Sequence, residues 1–164
     1  MNILITGATG LIGRALVAQW QHQHQLHILT RSSVKAKEIL AVDANYQHSL
    51  DDIDLNQIDA VINLAGEPIA DKRWSESQKQ KICQSRWQIT EALAEKIQQC
   101  TTPPTVLISG SAIGFYGRQG STVVTEEYNS YYPEFSHDIC ARWENLAQRA
   151  ASPHTRVCLL RTGI

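Results

Sequence analysis

Two periodicities alternate along this chain. Short runs that are apolar at nearly every position recur between longer stretches whose apolar residues return every three or four places, the marks of buried strands and of helices. Asn2-Ile3-Leu4-Ile5-Thr6 is the first run, and Leu11, Ile12, Ala15, Leu16 and Trp20 then mark a helix from Leu11 to about Gln21. His27-Ile28-Leu29 reads as a second strand, followed by a short helix over Val34 to Ala41 with Ser33 as its cap. The polar segment from Val42 to Asp59 shows little beyond a weak strand near Asn45–Ser49. Ala60-Val61-Ile62-Asn63-Leu64-Ala65-Gly66 is a continuous buried strand stopped by glycine. Ser75 or Ser77 caps a long helix running to about Gln99, Pro103-Pro104 stops it, and Thr105-Val106-Leu107-Ile108-Ser109 begins the next strand. The loop from Gly110 to Phe135, rich in glycine, tyrosine and serine, is too long for a plain connector. A helix from about Ser136 to Ala151 and a strand over Arg156–Arg161 complete the pattern. Strands apolar on both faces and alternating with helices predict an α/β fold, a doubly wound parallel sheet with helices on both faces.

Composition narrows the function. At 164 residues the chain is one domain by length, and 43% hydrophobic with 19% charged residues is ordinary for a globular protein. A net charge of −1 leaves no basic footprint, so neither nucleic acid nor an anionic membrane is expected as a partner. No apolar stretch reaches transmembrane length and the N-terminus has no signal-peptide pattern, so the expectation is a cytoplasmic protein. Cys83, Cys100, Cys140 and Cys158 are scattered with no Cys-x-x-Cys pair, which reads as reduced, packed thiols and no metal site. His22, His24 and His27 fall at the turn between the first helix and the second strand and read as a solvated turn.

The candidate chemistry gathers where strands end. Gly7, Gly10 and Gly13 follow the first strand and open the first helix, in a Gly-x-x-Gly-x-x-Gly spacing one residue longer than the common dinucleotide fingerprint. In that context bare backbone N–H groups and a helix N-terminus face an incoming pyrophosphate. After the second strand comes Thr30-Arg31, with no acid before Glu38. An acid there would accept from a ribose 2′-hydroxyl, whereas a guanidinium suits a 2′-phosphate, so NADP(H) is favoured over NAD(H). Leu64, Ala65 and Gly66 are small or apolar residues at the carboxyl edge of a central strand, where a ribose can lie on the backbone. Ser111 occupies the same edge one strand further on and is placed to polarise a substrate carbonyl or hydroxyl, with Tyr116 beyond it as a candidate proton donor.

Thr6-Gly7-Ala8-Thr9-Gly10-Leu11-Ile12-Gly13, Asn63-Leu64-Ala65-Gly66, Ser109-Gly110-Ser111 and Tyr116-Gly117 resemble the extended or atypical, epimerase-like short-chain dehydrogenase/reductases. Glu67-Pro68-Ile69, Arg73-Trp74, Ser85-Arg86, Trp143-Glu144 and Arg161-Thr162-Gly163 narrow the resemblance to the YfcH and SDR39U1-type subgroup, over essentially the whole chain. It implies a Rossmann-type NADP-binding domain spanning residues 1–164. It also implies phosphate contacts over Gly7, Thr9, Gly10, Leu11, Ile12 and Gly13, a 2′-phosphate at Thr30-Arg31, and further cofactor contacts at Leu64-Ala65, Arg86, Lys81 and Ile164.

The chain departs from the wider superfamily at one place. The Tyr-x-x-x-Lys pair that serves as acid/base is absent, and the corresponding stretch runs Pro133-Glu134-Phe135-Ser136-His137-Asp138-Ile139-Cys140-Ala141-Arg142. Neither Phe135/Ile139 nor Ser136/Cys140 supplies that chemistry, and His137 is the remaining titratable candidate. Two expectations follow. One is an NADP(H)-dependent oxidoreductase or nucleotide-sugar-epimerase-like enzyme acting on a small molecule, with Ser111, Tyr116 and His137 at its centre. The other is a non-catalytic NADP(H) sensor. The sequence ends just past a buried strand, which reads as a fragment lacking most of a C-terminal substrate region, and the two long helices are the expected homodimer contact.

Overall fold

A computed structural model describes residues 1–125 and 127–163. Six strands form one sheet: β1 (Asn2–Thr6), β2 (Gln25–Leu29), β3 (Asn45–Gln47), β4 (Ala60–Asn63), β5 (Val106–Ala112) and β6 (Arg156–Thr162). Four helices connect them: α1 (Leu11–Trp20), α2 (Ser33–Leu40), α3 (Glu76–Gln98) and α4 (Phe135–Gln148). The strand order is β3-β2-β1-β4-β5-β6 and every pairing is parallel. Chain direction across the sheet therefore reverses between β1 and β4, and this switch point opens a crevice at the carboxyl ends of the strands.

Burial on both faces explains the uninterrupted apolar runs. Leu4, Val61 and Leu107 point to one face and pack with Leu93, Ala94 and Ile97 of α3 and Ala147 of α4. Ile3, Ile5, Leu26, Ile28 and Ile62 point to the other and pack with Val17 of α1. The stretch after β3, expected as loop, holds two 3-10 turns over Leu50–Asp52 and Leu55–Gln57, capped by Ser49 and Asp54. Ile53, Leu55 and Ile58 flank or sit in those turns and reach the core at irregular spacing, which neither period detects.

Several boundaries move. Ser32, not Ser33, caps α2, accepting from the Lys35 N–H, and Ser75 rather than Ser77 caps α3. β5 continues to Ala112 and a 3-10 turn over Ile113–Phe115 follows, so the long loop begins later than the glycines suggested. Among the described residues no helix is long and apolar enough to cross a membrane.

Candidate functional site

The crevice holds a cavity of about 540 Å³ walled by the glycine turn, the end of β4, the end of β5 and the first turns of α4. Gly7 has φ +68°, and a Cβ there would lie 2.4 Å from the Leu64 carbonyl oxygen, so both backbone conformation and the neighbouring strand demand glycine. A Cβ on Gly13 would lie 2.5 Å from the Gly7 carbonyl oxygen, so that glycine lets α1 pack onto the turn. Gly10 is different: a Cβ there would meet only the Gly7 carbonyl oxygen, at 3.2 Å. Packing within the chain does not explain it, and its open side belongs to the cavity. No side chain caps α1, so its first-turn N–H groups await an outside acceptor. These features fit the pyrophosphate of a dinucleotide.

A buried polar chain, unforeseen from the sequence, aligns the strands that carry this cradle. The Thr6 hydroxyl accepts from the Ala65 N–H at 3.2 Å and donates to Asn63 Oδ1 at 2.6 Å. Asn63 Nδ2 donates to the Thr90 hydroxyl at 2.7 Å, Trp143 Nε1 donates to the same oxygen at 2.9 Å, and Thr90 donates to the Arg86 carbonyl at 2.7 Å. The only trace in the sequence is a polar residue closing each apolar run.

Arg86 lies against this assembly. A Cβ on Gly66 would come within 2.9 Å of its Cζ, so the guanidinium lies directly on that glycine. One guanidinium nitrogen donates to the Glu67 and Ile82 carbonyls at 3.1 and 3.0 Å, and the group sits over the Trp143 ring. Burial holds its pKa below the usual guanidinium value. Lys81, one turn earlier on α3, is exposed and does not line the cavity.

At the end of β2, Thr30 donates its N–H to the Gln47 carbonyl, and its hydroxyl accepts from the Ser32 N–H, shaping a tight turn. Arg31 at its tip is exposed and takes part in none of the ion pairs found among the described residues. Ile164, the last expected cofactor contact, lies outside the described residues.

The three candidate acid/base groups do not converge. Ser111 lines the cavity and is 4% exposed, with its hydroxyl donating to Glu144 Oε1 at 2.6 Å. The Tyr116 hydroxyl accepts from Arg161 at 2.8 Å and faces an adjoining open groove of about 900 Å³ beside β6. His137 has Nδ1 against the Phe115 carbonyl at 2.5 Å and its ring stacked 3.8 Å from Tyr131, outside the cavity lining. Glu144 and Arg161, in the sequence only two matches to a resemblance, form a bidentate pair with contacts of 2.8 Å each. Those hydrogen bonds raise the Arg161 pKa above the usual guanidinium value. Cys140 sits beside Ser111, and burial pushes its thiol pKa up. No group of three His, Cys, Asp or Glu residues positioned to hold a metal occurs among the described residues.

An open parallel sheet in this strand order, with a glycine cradle and an uncapped helix at its switch point, defines a dinucleotide-binding fold of the Rossmann type. Residues 3–163 match the NAD dependent epimerase/dehydratase family, and the chain belongs to it. It is 36% identical over 164 residues to an epimerase family protein of Staphylococcus saprophyticus, covering 99% of this chain and 55% of that protein. It is 33% identical to the chloroplastic SDR39U1 homolog of Arabidopsis thaliana, covering all of this chain and 49% of that one. Human epimerase family protein SDR39U1, solved with NADPH, superposes at a TM-score of 0.82 with 25% identity, over 98% of this chain and 53% of the human one. A nucleoside-diphosphate sugar epimerase from Corynebacterium glutamicum superposes at 0.78 with 34% identity, over 99% of this chain and 34% of that one. The chain spans about half the length of the curated relatives it matches.

Proposed function

We propose that this chain binds NADP(H) and acts as an oxidoreductase or nucleotide-sugar-epimerase-like enzyme on a small hydroxyl-bearing molecule. The observation that carries the reading is the pairing of an uncapped glycine cradle with an exposed Arg31, in no ion pair among the described residues, at the end of the neighbouring strand. The first-turn N–H groups of α1 hold the pyrophosphate, and Gly10 admits it to the backbone. Thr30 fixes the turn from which Arg31 meets the 2′-phosphate with two parallel donors. Leu64 and Ala65 back the ribose, and Arg86 adds positive charge beside it. When bound, the nicotinamide supplies or accepts a hydride. That a human relative was solved with NADPH supports the choice of dinucleotide.

Titration with NADPH and NADH, read by energy transfer from the four tryptophans, tests this reading. Tighter binding of NADPH that is lost in Arg31→Ala supports it, and equal binding of the two removes the preference. A second reading, a sensor that binds NADP(H) without turnover, is favoured by one observation: no tyrosine hydroxyl lines the cavity among the described residues. Turnover of a nucleotide sugar separates the two, read either as net consumption of NADPH for a reductase or as conversion of the sugar to its epimer with the dinucleotide regenerated. The exposed faces of α3 and α4 are the proposed homodimer contact and the cytoplasm the proposed compartment; sedimentation of the purified chain checks the former.

A further inference from the structure

Two strand ends meet beside Arg31. The Thr30 N–H donates to the Gln47 carbonyl at 2.9 Å and closes the β2–β3 pairing, so Arg31 and His48 each leave the sheet one residue beyond the same hydrogen bond. The turn that carries Arg31 has hydroxyls at Thr30, Ser32 and Ser33. Two of them serve the turn itself: the Thr30 hydroxyl accepts from the Ser32 N–H and the Ser32 hydroxyl from the Lys35 N–H, at 3.4 Å each. Ser33, the first residue of α2, differs, because its hydroxyl lies 2.8 Å from Nε2 of His48.

A neutral imidazole holds such a contact in either direction, giving its Nε2 proton or accepting the serine's. With both ring nitrogens protonated it only donates, and the serine proton is free for another acceptor. A phosphate monoester dianion offers acceptor oxygens only. Protonated His48 therefore adds two things to the turn: a positive charge and the freed O–H of Ser33. The charged groups on the elements around His48 leave it available. Arg31 and Lys35, on the turn and α2, are exposed and in no ion pair among the described residues. Lys37 lies over the Tyr46 ring at 5.5 Å, with Glu38 next to it on α2. Asp51 and Asp52, in the following 3-10 turn, accept from the Ser49 hydroxyl at 3.4 Å and the Ser49 N–H at 3.3 Å. Asp43 precedes β3, and His27 of β2 is in register with Asn45 at the start of that strand. No acid pairs with His48 among the described residues.

We infer that His48 is a specificity-determining residue for the dinucleotide: acting through Ser33, it completes the 2′-phosphate site with Arg31, and the preference for NADP(H) over NAD(H) rises as pH falls. The inference rests on the dinucleotide reading above and deepens it. The phosphate favours the protonated ring, so NADPH gains affinity as pH falls through the range in which the complex takes up that proton. Protonation of the phosphate itself, near about pH 6, removes negative charge and works in the opposite direction. NADH carries no 2′-phosphate and lacks the coupling. His48 is a positioning residue, since its action on the ligand runs through the direction of the Ser33 O–H and through its charge.

The test titrates the purified chain with NADPH and with NADH between pH 8.5 and 6.5, by tryptophan fluorescence and by calorimetry in two buffers of different ionisation heat. NADPH should bind about fivefold more tightly at pH 6.5 than at 8.5, the scale on which a neighbouring anion favours a charged imidazole. Its binding should take up part of a proton near pH 7, and NADH should do neither. His48→Gln keeps a side-chain N–H for Ser33 and cannot titrate; it should hold the pH 8.5 affinity within about twofold and lose the slope. Ser33→Ala should weaken NADPH about fivefold at pH 6.5 and leave NADH unchanged. A flat native profile, a native slope in His48→Gln, or full NADPH affinity in Ser33→Ala at pH 6.5 overturns the inference, while an Arg31-dependent preference for NADPH leaves the dinucleotide reading standing. NADPH no tighter than NADH at any pH rejects that reading, and the inference with it. Proton uptake by the native chain needs no substitution, so its absence overturns the inference even where a variant fails to fold.

Discussion

The three glycines of the first turn do three different jobs, and single alanines distinguish them. Gly13→Ala drives a methyl into the Gly7 carbonyl and the Ala8 backbone and should cost about 1–3 kcal/mol in urea unfolding. Gly10→Ala meets one backbone oxygen at 3.2 Å at an ordinary negative φ, so stability should fall by less than about 1 kcal/mol. Its methyl stands on the open side of the cradle, and NADPH affinity should fall at least about tenfold while the fold persists. A Gly10→Ala variant that binds normally would mean that no phosphate approaches there. Arg31→Ala should weaken NADPH by about tenfold to a hundredfold and leave NADH nearly unchanged, because the guanidinium has no ion-pair partner to release among the described residues. These residues were legible because turn chemistry is local. The hydrogen bond of Ser111 was not, since it depends on a carboxylate, and on an arginine behind it, brought up by another part of the fold.

Elements are joined by polar contacts as much as by apolar ones. Thr90 on α3 receives Asn63 from β4 and Trp143 from α4, so its hydroxyl is the meeting point of three elements around the cavity. Thr90→Val keeps the shape and strands two buried donors; it should cost about 2–4 kcal/mol in urea unfolding, whereas a loss below half a kilocalorie would show that the three elements hold together without it. His27 on β2 provides a pH signature. Burial lowers its pKa below 6.5, and its Nδ1 has no partner among the described residues. The folded chain thus disfavours protonation, and the associated stability is present above the unfolded value and lost as pH falls below it. The urea midpoint should drop more between pH 7.5 and 5.5 in the native chain than in His27→Gln, and parallel curves would contradict this. Strands buried on both faces and helices between prolines and caps were readable because pattern and burial agree. The stretch between β3 and β4 was not, because Ile53, Leu55 and Ile58 enter the core from short 3-10 turns that have neither period.

At the scale of the molecule, coverage of the sheet is uneven. Ile62, Ile108 and Cys158 stand in register on one face; Ile62 is 4% exposed, whereas Ile108 and Cys158 are only partly buried, and Leu160 is 42% exposed. The helices on that face lie over the β1–β4 side, so the strands around the switch point are braced on both faces and β5–β6 on one. A dinucleotide in the crevice would touch the ends of β1, β2, β4 and β5 together and bind only the assembled sheet. Ligand that binds the folded state alone stabilises it by about 2.7 kcal/mol at a hundred times Kd. For a chain of this length that corresponds to a rise in Tm of about 5–10 °C. NADPH should produce this shift and NADH a much smaller one at equal concentration, measured by differential scanning fluorimetry. Arg31→Ala should bring the two curves together by lowering the NADPH response and not by raising the other. A shift of equal size from both dinucleotides would assign the stabilisation to the glycine cradle alone and leave Arg31 outside the site.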